Sequence, residues 1–283
     1  MGRDAVARAL TASGVGVTDS GSADVQVVVL AEALKAEDRQ MLNADLPSVV
    51  VLNKADLSGR EPGGPLASAA RVAAGIAATI GRPVVPMIAL LAAVELDDQL
   101  VDALRTLAVT PADMTSADAF VESEHPLPTQ VRRRMLMQLD RFGLAHAVLA
   151  VAGGAAPAAV ARTLRELSRT DQVVSAITAA GPQVLYRRVC AALDDLHLLA
   201  AETRDDSLAS FLAGDEVVVA VMAAAVDAME ASGLRVDPGD DADAHVRRAV
   251  RWRRYAEGPL DRLHRRCAAD IARGSLRLLG RAR

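Results

Sequence analysis

The sequence predicts a reduced, truncated parallel α/β domain over residues 1–109, followed by an all-α helical bundle over 110–283. Three observations predict this. Before residue 110, short apolar runs alternate with amphipathic segments, as parallel strands buried under helices do. After residue 128 the apolar residues recur at helical spacing instead. The apolar half of the chain, 51% of residues, is built from Ala, Val and Leu with only 2% aromatics, which suits closely packed helices.

Taken in order, "RDAVARAL" reads as an N-terminal helix. "ADVQVVVL" is a buried strand and "KAEDRQML" a helix. "PSVVVL", opened by Pro47, is a second buried strand. "PLASAARVAAGIAATIG" is a helix with Pro65 near its start and Gly81 at its stop. "RPVVPMIALLA" holds a third strand, and "LDDQLVDALRTLA" closes the region as a helix. Residues 110–128 form a polar, Pro-bearing connection. Beyond it, the segments beginning at Thr129, Pro157, Pro182 and Glu216 all read as helices. The acidic "DPGDDADAH" is a loop, and the basic segment from His245 to Arg283 is helical, interrupted at Gly258–Pro259.

A net charge of −4 argues against a wholesale nucleic-acid binder. Two cysteines, Cys190 and Cys267, with no framework of spacings read as buried thiols in a reducing compartment. "VVVAVMAAAV" is too short to span a bilayer, and "AHAVLAVAGGAAPAAVA" is broken by Gly153, Gly154 and Pro157. Both read as buried helical segments. With no targeting segment in "MGRDAVARALTASG", the expected location is the cytoplasm, or the inner face of the membrane as a peripheral protein.

The chemistry-bearing stretch is Asn53-Lys54-Ala55-Asp56, directly after an apolar strand. Ligands of open α/β sheets bind beyond the carboxyl ends of strands. Asp56 can accept two parallel hydrogen bonds from guanine N1–H and its 2-amino group, a donor pair that adenine lacks. Asn53 can bridge loops and reach the acceptor edge of the base. The stem of Lys54 can lie along the ring. The chain has thirty arginines but only two lysines, Lys35 and Lys54, and two asparagines, Asn43 and Asn53. One of each stands side by side here, with an aspartate at the right spacing.

On these residues, 23–108 resemble the back half of a GTPase domain, closest to the dynamin-like and Era/TrmE-like GTPases of actinobacteria. "VVVLNKADL" is similar to the guanine-specificity motif of that family. "VVPMIALLA" sits where the family has a serine-alanine pair whose backbone touches the base oxygen; Ile88 replaces the serine and Ala89 keeps the alanine. The helical half resembles the region that follows such domains. The resemblance implies that Asn53, Lys54, Asp56 and Ala89 are the nucleotide-contacting residues.

The departures are as informative. The phosphate-binding string G-x-x-x-x-G-K-[ST] is absent, and neither lysine lies in a Gly-rich loop. "VTDSGSAD" offers Asp19 and Gly21 as a remnant of a magnesium-region motif, with spacing one residue short; otherwise Asp19 is a turn residue. Charge-assisted phosphate contacts contribute roughly 1.5–3 kcal/mol each. Without them, base contacts alone correspond to millimolar to high-micromolar binding, about −4 to −6 kcal/mol. The expectation is therefore a pseudo-GTPase with no metal or catalytic residue, binding GTP or GDP weakly at most. It would act as a regulatory or interaction subunit of a dynamin-like system. A guanine nucleotide binder or GTPase completed by a partner chain is the alternative.

Losing the phosphate-loop strand would also expose the edge of "DVQVVVL". "SGVGVTD" as a short strand, the N-terminal helix, or a partner chain could cover it; that partner would be a full GTPase or a second copy. The basic C-terminal helices, with Trp252 and Tyr255 among the arginines, read either as a contact for anionic lipid or as a solvated face paired with acids of the first half. "ESEH" (Glu122–His125) and "DPGDDADAH" are weak metal candidates, and the latter reads better as a capping loop. Ser20 lacks the flanking glycine of a nucleophile elbow.

Overall fold

The computed structural model describes residues 2–21, 23–31, 33–42, 46–59 and 62–282. Asn43, Ser22 of "VTDSGSAD" and the last residue of the basic C-terminal run lie outside them. The chain forms two compact units. One comprises residues 1–43 and 48–176, the other 177–283 with 44–47.

The first unit is a small α/β body with added helices. Its strands β1 (Gln26–Leu30), β2 (Ser48–Asn53) and β3 (Val84–Met87) form a parallel sheet in the order β1-β2-β3. Its helices are α1 (Arg3–Ala12), α2 (Ala36–Leu42), α3 (Gly64–Ile80), α4 (Asp98–Val109), α5 (Ala117–Glu122), α6 (Thr129–Ala152) and α7 (Pro157–Ser168). Helix α8 (Thr170–Ala179) leads into the second unit, which holds α9 (Gly181–Thr203), α10 (Asp206–Leu212), α11 (Asp215–Ala231), α12 (Ala242–Ala256) and α13 (Arg262–Arg281).

β2 is central, and this explains its unbroken apolar run. Val49 to Leu52 are all buried because both faces of the strand are covered. Val28, Leu30, Val50 and Leu52 pack with Leu42 of α2 and Ala73 of α3. The expected stop of α3 is present: Gly81 adopts φ 66° and donates its N–H to the Ala77 carbonyl at 2.8 Å.

The units part at 176/177, whereas composition changes at 110. The change at 110 marks where strands stop, not where the first core ends. Phe120, Met135, Leu139, Leu144 and Leu164 from α5, α6 and α7 join Ile88, Leu91 and Leu104 in one buried cluster. Within it, Arg132 of α6 is buried and donates to the Phe120 carbonyl at 2.6 Å and to Ser123 Oγ at 3.2 Å. That contact fixes α5, a short helix inside the polar, Pro-bearing connection. α5 is capped by Ser116, which accepts from the Ala119 amide.

The "SGVGVTD" segment is not a strand, so among the described residues no further strand pairs with the outer edge of β1. Helix α1 instead packs against the short 3-10 turn Ala89–Leu91, burying Val6, Ala9 and Leu10.

The second unit has its own core of Tyr186, Met229, Trp252, Cys267 and Ile271. Both cysteines are buried free thiols. Among the described residues one helix, α6, is long and apolar enough to cross a membrane, and α10 with α11 reach that length only across a 43° bend. The run through Gly153 and Pro157 is split between α6 and α7, as its breakers require.

Candidate functional site

The Asn53–Asp56 motif stands at the carboxyl end of the central strand. Asn53 is the last residue of β2, pairs in register with Met87 of β3, and is 4% exposed. Its side-chain oxygen accepts the Ala89 N–H at 3.1 Å, and its amide nitrogen donates to the Gly2 carbonyl at a long 3.5 Å. Lys54 then turns the chain with φ 60°, ψ 41°. A left-handed lysine costs on the order of 1–2 kcal/mol. The turn places Ala55–Leu57 in a 3-10 turn, with Leu57 N–H on the Lys54 carbonyl at 2.9 Å. Lys54 is exposed, Ala55 is fully buried and Asp56 is half-buried.

Asp56 is electrostatically unsettled. Burial raises its carboxyl above the usual range; its own backbone amide pulls the other way, nearby Asp140 raises it further, and Lys54 lowers it. A half-buried carboxylate facing a like charge gains from any ligand that offers it N–H donors.

Asp140 has no precedent in the motif reading. It interrupts α6 with φ 53° and ψ 177°, a backbone conformation costly for any residue but glycine, and its carboxylate accepts the Arg141 N–H at 2.6 Å. The flanking part of α6 sits close to the 89–91 turn. A Cβ on Gly143 would fall 2.5 Å from Leu91 Cδ2. The stretch "QLDRFG" lies inside a segment that reads in sequence as one helix, so the break at Asp140 is not expected there.

The structure therefore joins Asn53 to Ala89 directly and keeps Lys54 and Asp56 in the same loop. The Ala89 N–H is engaged by Asn53 and buried, so it is not presented to a base oxygen. Ile88 is buried in the first core, and its N–H donates to the Ser168 carbonyl at 3.0 Å.

The weaker candidates resolve into structural roles. Asp19 is exposed in a turn organised by Thr18, whose hydroxyl accepts the Ser20 N–H at 3.1 Å. His125 uses both ring nitrogens: one contacts the Thr110 carbonyl at 2.7 Å, and the other accepts the Leu127 N–H at 3.0 Å. Asp241 caps α12 through the Ala244 N–H at 2.7 Å. Among the described residues no three His, Cys, Asp or Glu gather as a metal site.

Arginines of the basic C-terminal helices pair with acids of their own unit: Arg266 with Asp194, Arg277 and Arg281 with Asp215, Arg273 with Asp270. Trp252 is 1% exposed and packs edge-on to Tyr255, so it is a core residue. Sequence reading also missed Arg248. This buried cation donates to the Asp237 and Gly239 carbonyls, both at 2.8 Å, and to Ser275 Oγ at 2.9 Å, and contacts His245 at 2.7 Å.

Compared with protein-family models, curated proteins and solved structures, the chain matches none.

Proposed function

We propose that the chain is a pseudo-GTPase: a non-catalytic, GTPase-like protein that retains guanine recognition and serves as an interaction or regulatory subunit of a dynamin-like GTPase system. One observation carries this reading. A half-buried carboxylate, Asp56, follows the central parallel strand in a loop tied down by Asn53, with its charge disfavoured by burial and by Asp140. Guanine N1–H and N2–H would relieve that penalty, and adenine offers no equivalent pair. The absence of a phosphate-binding string supports recognition without turnover. The reading assigns the protein to the cytoplasm, acting beside a full GTPase or a second copy.

The second reading is a guanine nucleotide binder or GTPase completed by a partner chain. It is favoured by β1, whose outer edge carries no further strand among the described residues.

Isothermal titration of the full chain with GDP separates the two. The leading reading expects binding no tighter than high micromolar, abolished by Asp56→Ala, and no GTP turnover above that variant. Tight binding by the isolated chain favours the second reading. Weak binding that survives Asp56→Ala defeats base recognition altogether. Co-elution with a complete dynamin-like GTPase on size-exclusion chromatography tests the partner half.

A further inference from the structure

Helix α9 leaves the core of the second unit with one side bare. Of its 23 residues only Tyr186, Cys190 and Ala200 are buried, while Val189 and Leu193 pack partly against the same core. At 3.6 residues per turn, Leu185, Ala192, Leu196 and Leu199 share one stripe, about a third of a turn round from Tyr186, Cys190 and Leu193. All four stripe residues are exposed. Among the described residues sixteen large apolar side chains are exposed, and five of them, Leu185, Leu196, Leu198, Leu199 and Phe211, lie between residues 185 and 211. Single exposed leucines need no explanation, but a row at helical spacing does. We infer that this stripe is a homodimer interface, on which α9 packs antiparallel against α9 of a second copy. The inference goes beyond the nucleotide reading and does not depend on it.

Spacing chooses the occupant. Leu185 stands seven residues before Ala192, and Leu199 stands seven after it. A twofold axis at Ala192 therefore sets Leu185 of each copy against Leu199 of the other, with Leu196 beside Val189. This is the self-complementary contact that a twofold dimer requires. Ala192 meets its own copy at the crossing point, where its small side chain lets the axes approach to the roughly 8–10 Å of packed helices.

Charge chooses the direction. From residue 195 to 206 the acids Asp195, Glu202, Asp205 and Asp206 outnumber the one arginine, Arg204. A parallel pair would bring these acidic ends together. The antiparallel pair holds the two Glu202 positions roughly 30 Å apart, several screening lengths. The same acids oppose an anionic bilayer on this stripe.

Size sets the strength. A helix of this length is roughly 35 Å long and 10 Å wide. Helix α10 packs against α9 and adds the exposed Phe211. That footprint lies at the low end of specific interfaces, so the dissociation constant is expected on the order of 10 µM.

Sedimentation velocity of the nucleotide-free full chain, from about 1 to 200 µM, tests this. The expected result is a reversible monomer–dimer equilibrium, weakened at least about tenfold by Leu196→Glu combined with Leu199→Glu. Leu149→Glu, at an exposed leucine of α6, should leave it unchanged. Thermal melting checks that each variant folds, and Leu185→Glu replaces the double variant if that one does not. Register is read separately. Oxidised under native conditions, Ala192→Cys should give a disulfide-linked dimer, whereas Ala191→Cys, exposed but off the stripe, should not. A chain monomeric at every concentration overturns the inference. So does a dimer undiminished in the folded variants, or equal cross-linking at positions 191 and 192. A monomer that sediments with phosphatidylcholine vesicles, and loses this in the double variant, gives the stripe to a membrane and overturns the dimer.

Discussion

The side-chain oxygen of Asn53 accepts the backbone N–H of Ala89 at 3.1 Å, tying the loop after the central strand to the turn after the edge strand. Both residues are buried. Removing the acceptor leaves an N–H without a partner and away from water. Asn53→Ala should therefore destabilise the first unit by about 1–3 kcal/mol. Urea unfolding followed by circular dichroism reads this. A loss below a few tenths of a kcal/mol would mean that the amide finds water when Asn53 is gone.

Asp56 has the opposite signature. Its folded-state carboxyl is raised above the ordinary value, with burial the largest cause. The native state then holds its proton to higher pH than the unfolded chain does. This group's contribution to stability falls as pH rises from the unfolded value of 3.8 through the raised folded value, and stays unfavourable at neutral pH. Asp56→Asn should raise the urea midpoint at neutral pH and leave it nearly unchanged well below pH 3.8. A variant less stable than the parent at neutral pH would contradict the assignment.

The motif loop and the three strands could be read from the sequence because each rests on a local signal. Val49–Leu52 form an unbroken apolar run, Gly81 has no side chain to resist φ 66°, and Asn53, Lys54 and Asp56 stand together. The extent of the first core could not be read, because it depends on contacts distant in sequence. Nothing near Phe120 announces that its carbonyl will receive Arg132, or that α5 to α7 will pack on Ile88 and Leu91. The break at Asp140 was illegible for the same reason. The C-terminal arginines misled in another way. Charge runs are seen in sequence but their partners are not, and nothing local to Arg266, Arg277 or Arg273 points to Asp194, Asp215 or Asp270.

Arg248 should be the most sensitive charged residue of the second unit. It is 4% exposed, and its guanidinium holds two loop carbonyls, Asp237 and Gly239, against α12. Arg248→Met fills similar volume but leaves both carbonyls and Ser275 without this donor. Because hydrogen bonds to charged groups contribute about 1.5–3 kcal/mol each, the loss should exceed about 2 kcal/mol. Faster amide exchange should concentrate in residues 234–241. Uniform exchange across the unit would show that Arg248 supports the core rather than the loop.

The two thiols should be silent in the folded protein. Burial pushes Cys190 up, and it pushes Cys267 up to about 12, so neither supplies thiolate at neutral pH. Titration with an aromatic disulfide reagent should find no fast-reacting thiol under native conditions and two after denaturation. A single fast thiol in the native state would show that the core around Tyr186 opens locally.

Gly274 tests how closely α13 approaches α11. A Cβ placed there would lie 2.4 Å from Met222 Cβ and 2.8 Å from Met222 Cγ, so the atoms in the way sit near the α11 backbone and cannot swing aside as a side-chain tip could. Alanine is favoured over glycine inside a helix by about 1 kcal/mol. Overpacking a tight core typically costs about 1–3 kcal/mol. The two effects oppose, and the short approach to Cβ decides the sign: Gly274→Ala should destabilise despite its better helix propensity. The double variant with Met222→Ala cannot relieve a clash at Cβ, whereas Met222→Gly should relieve it in part. A double-mutant cycle on thermal unfolding measures the coupling, and additive effects would mean that α13 shifts away from α11 without resistance.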